Sequence, residues 1–226
     1  MRKRNLLLTA GAMALATFCA PQASFASQAV TAMEAVAPTA AITKTMITSL
    51  KEITPGANPT QHVVFLDGNG AILADTKPRH ARQVKSAETL EAILALQNAG
   101  VMVYAITAHG PKNAVEEYQT LLAQGLDFTK SPSVEGFNIY GRSFYKGVFC
   151  SPRMVLSPGD KDYRQDRKKT VTKPSTMKFA VDLLRNQGVT VSQISFAGTG
   201  TYNFKTAENQ GFDVPVNLCY FEGESE

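Results

Sequence analysis

The chain has 226 residues, 44% hydrophobic and 19% charged, which suits one domain with a sizeable core and excludes a disordered chain. Its 23 basic and 19 acidic residues leave a formal charge of +4. Three of those positive charges, Arg2, Lys3 and Arg4, fall in the first 26 residues, which hold no acid, so the remainder carries about +1 and implies no nucleic-acid partner.

Arg2-Lys3-Arg4 precedes an apolar stretch from Leu6 to Ala20 and then Ser24-Phe25-Ala26. Small residues one and three positions before a cut after Ala26 make residues 1 to 26 an export signal. The bulky Phe18 argues against a lipid anchor on Cys19. The apolar stretch is shorter than the roughly 20 residues of a spanning helix, so the expectation is a periplasmic or secreted protein with no membrane segment after cleavage. Residues 27 to 41, rich in Ala, Thr and Ser, read as a flexible leader. Ile42, Met46, Leu50 and Ile53 share one helical face, which predicts a short amphipathic helix over 42 to 53, ended by Pro55-Gly56.

His62 to Leu66 is a compact apolar strand that stops at Asp67-Gly68-Asn69-Gly70, after which Ala71-Ile72-Leu73 resumes an apolar course. By itself this is also a hairpin signal, because Asn-Gly supplies the positive φ angles of a tight turn. Ser86 and Glu88 open a helix that runs to Asn98 and ends at Gly100, and Val101 to Ile106 is a second buried strand. A helix over Asn113 to Gln124 follows, then two short strands, Phe137 to Tyr140 and Ser143 to Phe149, suited to a hairpin. Pro174 sits in the first turn of a helix reaching Asn186, and Val191 to Ala197 is a third buried strand entering Gly198-Thr199-Gly200-Thr201. A helix from about Tyr202 to Asn209 and a strand near Val214 to Cys219 complete the order. The alternation predicts an α/β fold: three layers, a mostly parallel sheet of Rossmann type with helices on both faces. Sites in such sheets form where the strands' carboxyl ends meet the following loops.

Cys150 and Cys219 remain after signal removal and either pair in an oxidising compartment or stay as two buried thiols. His62, His80 and His109 are scattered, and no CxxC pair is present, so no zinc cluster is visible. The run Arg164, Arg167, Lys168, Lys169 is interleaved with Asp160, Asp162 and Asp166 and reads as a solvated loop.

Four features in order resemble the haloacid dehalogenase-like (HAD-like) phosphohydrolases. They are a strand ending Phe65-Leu66-Asp67-Gly68-Asn69-Gly70-Ala71, a strand ending Tyr104-Ala105-Ile106-Thr107, Lys173 before Pro174, and a strand ending Ser195-Phe196-Ala197-Gly198-Thr199. The family's corresponding motifs are Asp-x-Asp-Gly-Thr, a terminal Thr or Ser, a lysine opening a later helix, and paired Asp. The match spans roughly residues 42 to 220 and is closer still to an uncharacterised family of exported bacterial HAD-like proteins. It implies a small cap or insertion on residues 42 to 226.

The resemblance gives each residue a role. Asp67 would attack phosphorus and form a phospho-aspartate, Thr107 would donate its hydroxyl to the phosphate, and Lys173 would neutralise charge. Lys168, Lys169 and Lys178 compete for the lysine role. Asn69 stands where the family has its acid-base Asp, and an amide cannot give and take that proton. Magnesium in the family is held by the first Asp, a backbone carbonyl and the paired Asp, but the last positions are here Gly198 and Thr199. Gly198 to Thr201 can still turn backbone N–H groups toward an anion, or be a tight strand-to-helix turn.

Two functions follow. One is a binding or interaction scaffold with a degenerate active site and no cofactor, its partner a protein or a small phosphorylated ligand. The other is a divergent, magnesium-dependent phosphohydrolase acting through Asp67. A third reading is an unrelated exported α/β protein in which the motif order is coincidence, favoured by a sheet order in which Asp67, Thr107 and the Gly198 loop do not meet at one edge.

Overall fold

A computed structural model of the chain describes residues 40–74, 83–108, 113–139, 142–150, 172–198 and 206–221. The expected signal and leader up to residue 39, and His80, His109, Tyr140, Arg164 to Lys169 and Thr199 to Thr201, lie outside the described residues.

Eight strands form one sheet: β1 (Ile42–Ile47), β2 (His62–Asp67), β3 (Met102–Thr107), β4 (Gly136–Ile139), β5 (Arg142–Tyr145), β6 (Val148–Cys150), β7 (Gln193–Gly198) and β8 (Val216–Phe221). Their order is β1-β8-β7-β2-β3-β6-β5-β4. The six strands from β1 to β6 in that order pair in parallel, and β5 and β4 add on antiparallel. Among the described residues three α-helices accompany them: α1 (Ala87–Asn98), α2 (Ala114–Ala123) and α3 (Lys173–Asn186). The chain is thus an α/β protein with a mostly parallel sheet, and no described helix is long and apolar enough to cross a membrane.

All six residues of β2 and of β3 are buried, which is why both read as continuous apolar runs rather than alternating ones. Their side chains divide by parity. Val64, Leu66, Val103 and Ala105 join Ala92, Ile93 and Leu96 of α1 and Tyr118 and Leu121 of α2 in one core cluster. Val63, Phe65, Met102, Tyr104 and Ile106 join Met177, Ala180, Val181 and Leu184 of α3 in another.

The helix expected over residues 42 to 53 is instead β1 followed by a 3-10 turn at Leu50–Glu52. Thr43 and Thr45 are β-branched and hydrogen bond Asn217 of β8 at 3.2 and 2.9 Å, and six residues of β1 register on β8. The helical spacing was coincidence: Met46 is 52% exposed, whereas Ile47, Leu50 and Ile53 are buried. Ser49 and Glu52 form a capping box that starts the turn.

The run Ser143 to Phe149 is not one strand but two, β5 and β6, joined by Lys146-Gly147. Both turn residues have positive φ, 46° and 80°, and Tyr145 pairs with Val148 across them, as a two-residue hairpin requires. Of the helix expected near Tyr202 to Asn209, the described part is Thr206-Ala207 followed by a 3-10 turn, Glu208–Gln210.

Of the two alternatives for Cys150 and Cys219, the structure has the two buried, free thiols. They sit on β6 and β8, four strand spacings apart, or about 19 Å at ~4.8 Å per strand, far beyond disulfide reach. Burial, and secondarily Glu117, pushes the Cys150 thiol up to about 12, while burial and then Glu52 push Cys219 to about 11.

Candidate active site

Asp67, Thr107 and Gly198 are the final residues of β2, β3 and β7, three neighbouring parallel strands. All three therefore lie at one sheet edge. From β2 the chain moves outward through β3 to β6, then returns through α3 to β7 on the other flank of β2. Asp67 thus stands at the point where the connections reverse direction, the usual place for a site in an open α/β sheet. A sheet in which these residues did not meet would have favoured the unrelated-protein reading.

After Asp67 the backbone makes one wide turn, Gly68–Ile72, closed by Leu73 N donating to Gly68 O at 3.0 Å. The chain then leaves and re-enters through an antiparallel bridge between Leu73 and Val84. The Asp67-Gly68-Asn69-Gly70 segment is therefore not the tight turn of a hairpin.

The Asp67 side chain is 1% exposed, and both its oxygens are engaged. Oδ1 accepts from Asn69 N at 3.2 Å, and Oδ2 accepts from the Nζ of Lys173, the first residue of α3. Thr172 caps that helix, its hydroxyl accepting from Ser175 N at 3.1 Å while Ser175 Oγ accepts from Thr172 N at 2.9 Å. Pro174 fits the first turn, where its missing N–H is not needed. Lys178, a competitor for the lysine role, pairs with Asp182 one turn along α3, and Lys168 and Lys169 lie outside the described residues.

Thr107 is 2% exposed and lies against the turn after Asp67: a Cβ on Gly68 would sit 3.4 Å from Thr107 Cβ and 3.8 Å from its hydroxyl. Gly198 is tighter. A Cβ there would come within 2.9 Å of Asp67 Cβ and 2.7 Å of Phe196 Cζ, so β7 touches Asp67 with bare backbone.

That approach bears on the metal the resemblance implies. A carboxylate at position 198 cannot be accommodated unless Asp67 or Phe196 shifts. The acids just downstream are committed elsewhere, Glu208 to Lys44 at 2.6 Å and Asp213 to Arg185 at 2.9 Å. Among the described residues, no three of His, Cys, Asp and Glu gather as a metal-holding group. The described residues do not fit a magnesium centre, which needs several oxygen ligands in near-octahedral array.

Two contacts escaped the sequence. Arg142, opening β5, donates to Thr176 Oγ1 and Ser175 Oγ at 3.1 Å each and lies over the Phe179 ring, tying the sheet's antiparallel flank to the first turn of α3. His62, wholly buried, accepts from Gly56 N at Nδ1 (3.2 Å), so its neutral ring donates from Nε2 to Ser195 Oγ at 2.9 Å. Burial lowers its pKa to about 4. Neither contact has a local signal, since the partners are 33 or more positions apart for Arg142 and 133 apart for His62 and Ser195. Compared with known proteins, the chain matches no family model, no curated protein and no solved structure.

Proposed function

We propose that this is an exported HAD-like protein whose site, without a metal, serves binding or interaction rather than efficient phosphoryl transfer. The observation that carries the reading is the contact of Gly198 with Asp67, which takes the space of the carboxylate a magnesium ion would require. Asn69 adds to it, since no proton shuttle stands two residues past Asp67. The meeting of Asp67, Thr107 and Lys173 at one edge supports the HAD-like arrangement, as does the division of the core into an α1–α2 side and an α3 side, which suits three layers. The basic and apolar start of the chain supports export. The ligand class is a small phosphorylated molecule or a protein that presents an anion.

A divergent phosphohydrolase is the second reading, favoured by Asp67 at the switch point with Lys173 on its carboxylate. Assay of phosphate-ester hydrolysis with magnesium, in wild type and Asp67→Asn, separates the two. No turnover in either is the expected result, and turnover lost in Asp67→Asn establishes the phosphohydrolase.

A further inference from the structure

We infer that Lys173 is the resident cation of this site and that Asp67 masks it, so that a small phosphate-type oxyanion binds by displacing the carboxylate from the ammonium, without a divalent metal. The inference rests on the degenerate HAD-like reading and adds to it the ligand's chemistry and the residue that opposes its entry.

In the family resemblance, a dication offsets the repulsion between an aspartate and an incoming phosphate. Here both oxygens of Asp67 already have partners, Asn69 N and Lys173 Nζ, and the flank of Asp67 toward β7 is closed by Gly198. Asp67 and Lys173, with side chains 1% and 12% exposed, form a pair of zero net charge. A charge pair this dry is held by partner geometry rather than by any gain over an apolar pair. An oxyanion arriving at the edge meets opposing effects: the ammonium attracts it and the carboxylate, one unit of like charge on the same few ångströms of surface, repels it.

Lys173 is the group that can change partners. It reaches Asp67 from the first residue of a helix whose first turn contains no acid, so no other carboxylate in that turn competes for the ammonium. Its flexible stem also lets it follow a ligand, whereas Asp67 is fixed at a strand end. Thr107, at the end of the next strand, adds a hydroxyl of the kind that can donate to an oxyanion. On this arrangement Asp67 serves as an internal competitor for the ligand.

The test is isothermal calorimetry with inorganic phosphate on purified wild type, Asp67→Asn, and the double variant Asp67→Asn with Lys173→Met, each in chelator and again with millimolar magnesium. Removing the competing carboxylate is expected to tighten phosphate binding by about tenfold or more, with no dependence on magnesium. The double variant, which buries no charge, is expected to lose that gain. Wild type alone gives a second reading: magnesium titrated into it is expected to give no saturable heat. The inference is overturned if Asp67→Asn binds phosphate no better than wild type or undetectably, if the double variant binds as well as Asp67→Asn, or if wild type holds magnesium saturably. A wild type that hydrolyses phosphate esters brings down the scaffold reading instead. An inert protein in which Asp67→Asn gains nothing leaves that reading standing and removes only this inference.

Discussion

The backbone of Gly198 abuts Asp67 so closely that a single added carbon would lie 2.9 Å from the aspartate's Cβ. The two residues end adjacent strands, and the glycine sets how near those strands' tips can come. Gly198→Ala should therefore force Asp67 or Phe196 to move and lower stability by about 1–3 kcal/mol, the usual cost of overpacking. Urea denaturation of the two proteins measures this. Gly198→Asp, which introduces the residue of the HAD-like motif that the sequence resembles, should fold less well still and gain no magnesium affinity by calorimetry.

The Lys173–Asp67 pair makes a contrasting prediction for stability. Lys173→Met leaves a carboxylate that is 1% exposed without its cation, which should cost about 3–5 kcal/mol. Adding Asp67→Asn should recover most of that loss, because the double variant no longer buries a charge. A double-mutant cycle in urea gives the coupling directly.

His62 supplies a pH dependence. Its folded pKa, about 4, lies below the 6.5 of an unfolded histidine, so between those values the unfolded chain binds more protons. Its contribution is then complete above about pH 6.5 and falls as the pH drops toward 4, by up to about 3 kcal/mol. His62→Gln should flatten the stability profile over that window relative to wild type, and the difference between the two curves isolates the histidine from the carboxylates.

Cys150 and Cys219, buried with raised pKa values, should resist a neutral-pH thiol reagent while the protein is folded and react together once it is denatured. Their reactivity in denaturant should be the same with and without prior reduction.

Gly147 has φ +80°, and a Cβ on it would lie 2.6 Å from Phe128 Cβ and 2.8 Å from Phe128 O. Gly147→Ala should destabilise by about 1–3 kcal/mol through strain at the turn and against Phe128, read as a lower urea midpoint with an unchanged slope.

What the sequence made legible is whatever is written at the ends of buried runs. Asp67 and Thr107 close strands that are apolar throughout, Gly198 marks the end of a third, and Lys173-Pro174 opens a helix, so each position could be placed from its own neighbours. Features that depend on a distant partner were not visible. Ile42 to Ile53 fits a helical stripe, and only the ladder to β8, over 170 positions away, makes its first half a strand. Lys146 carries no turn signature, yet it sits at φ 46° where the Tyr145–Val148 pair and the Tyr118 and Tyr145 rings hold it. The distance between the cysteines followed from strand order, which is not local information.

The pairing of β1 with β8 also orders events in time. The first described strand has no sheet neighbour on its inner side until the last described strand is in place, because β8 alone joins it to β7. Closing that contact spans nearly the whole described chain, a high-contact-order step that slows folding. A polypeptide delivered from its N-terminus must therefore hold this strand unpaired until β8 emerges. During that interval Ile42, Met46 and Ile47 lack their native neighbour, which leaves the β1 edge open to a wrong pairing.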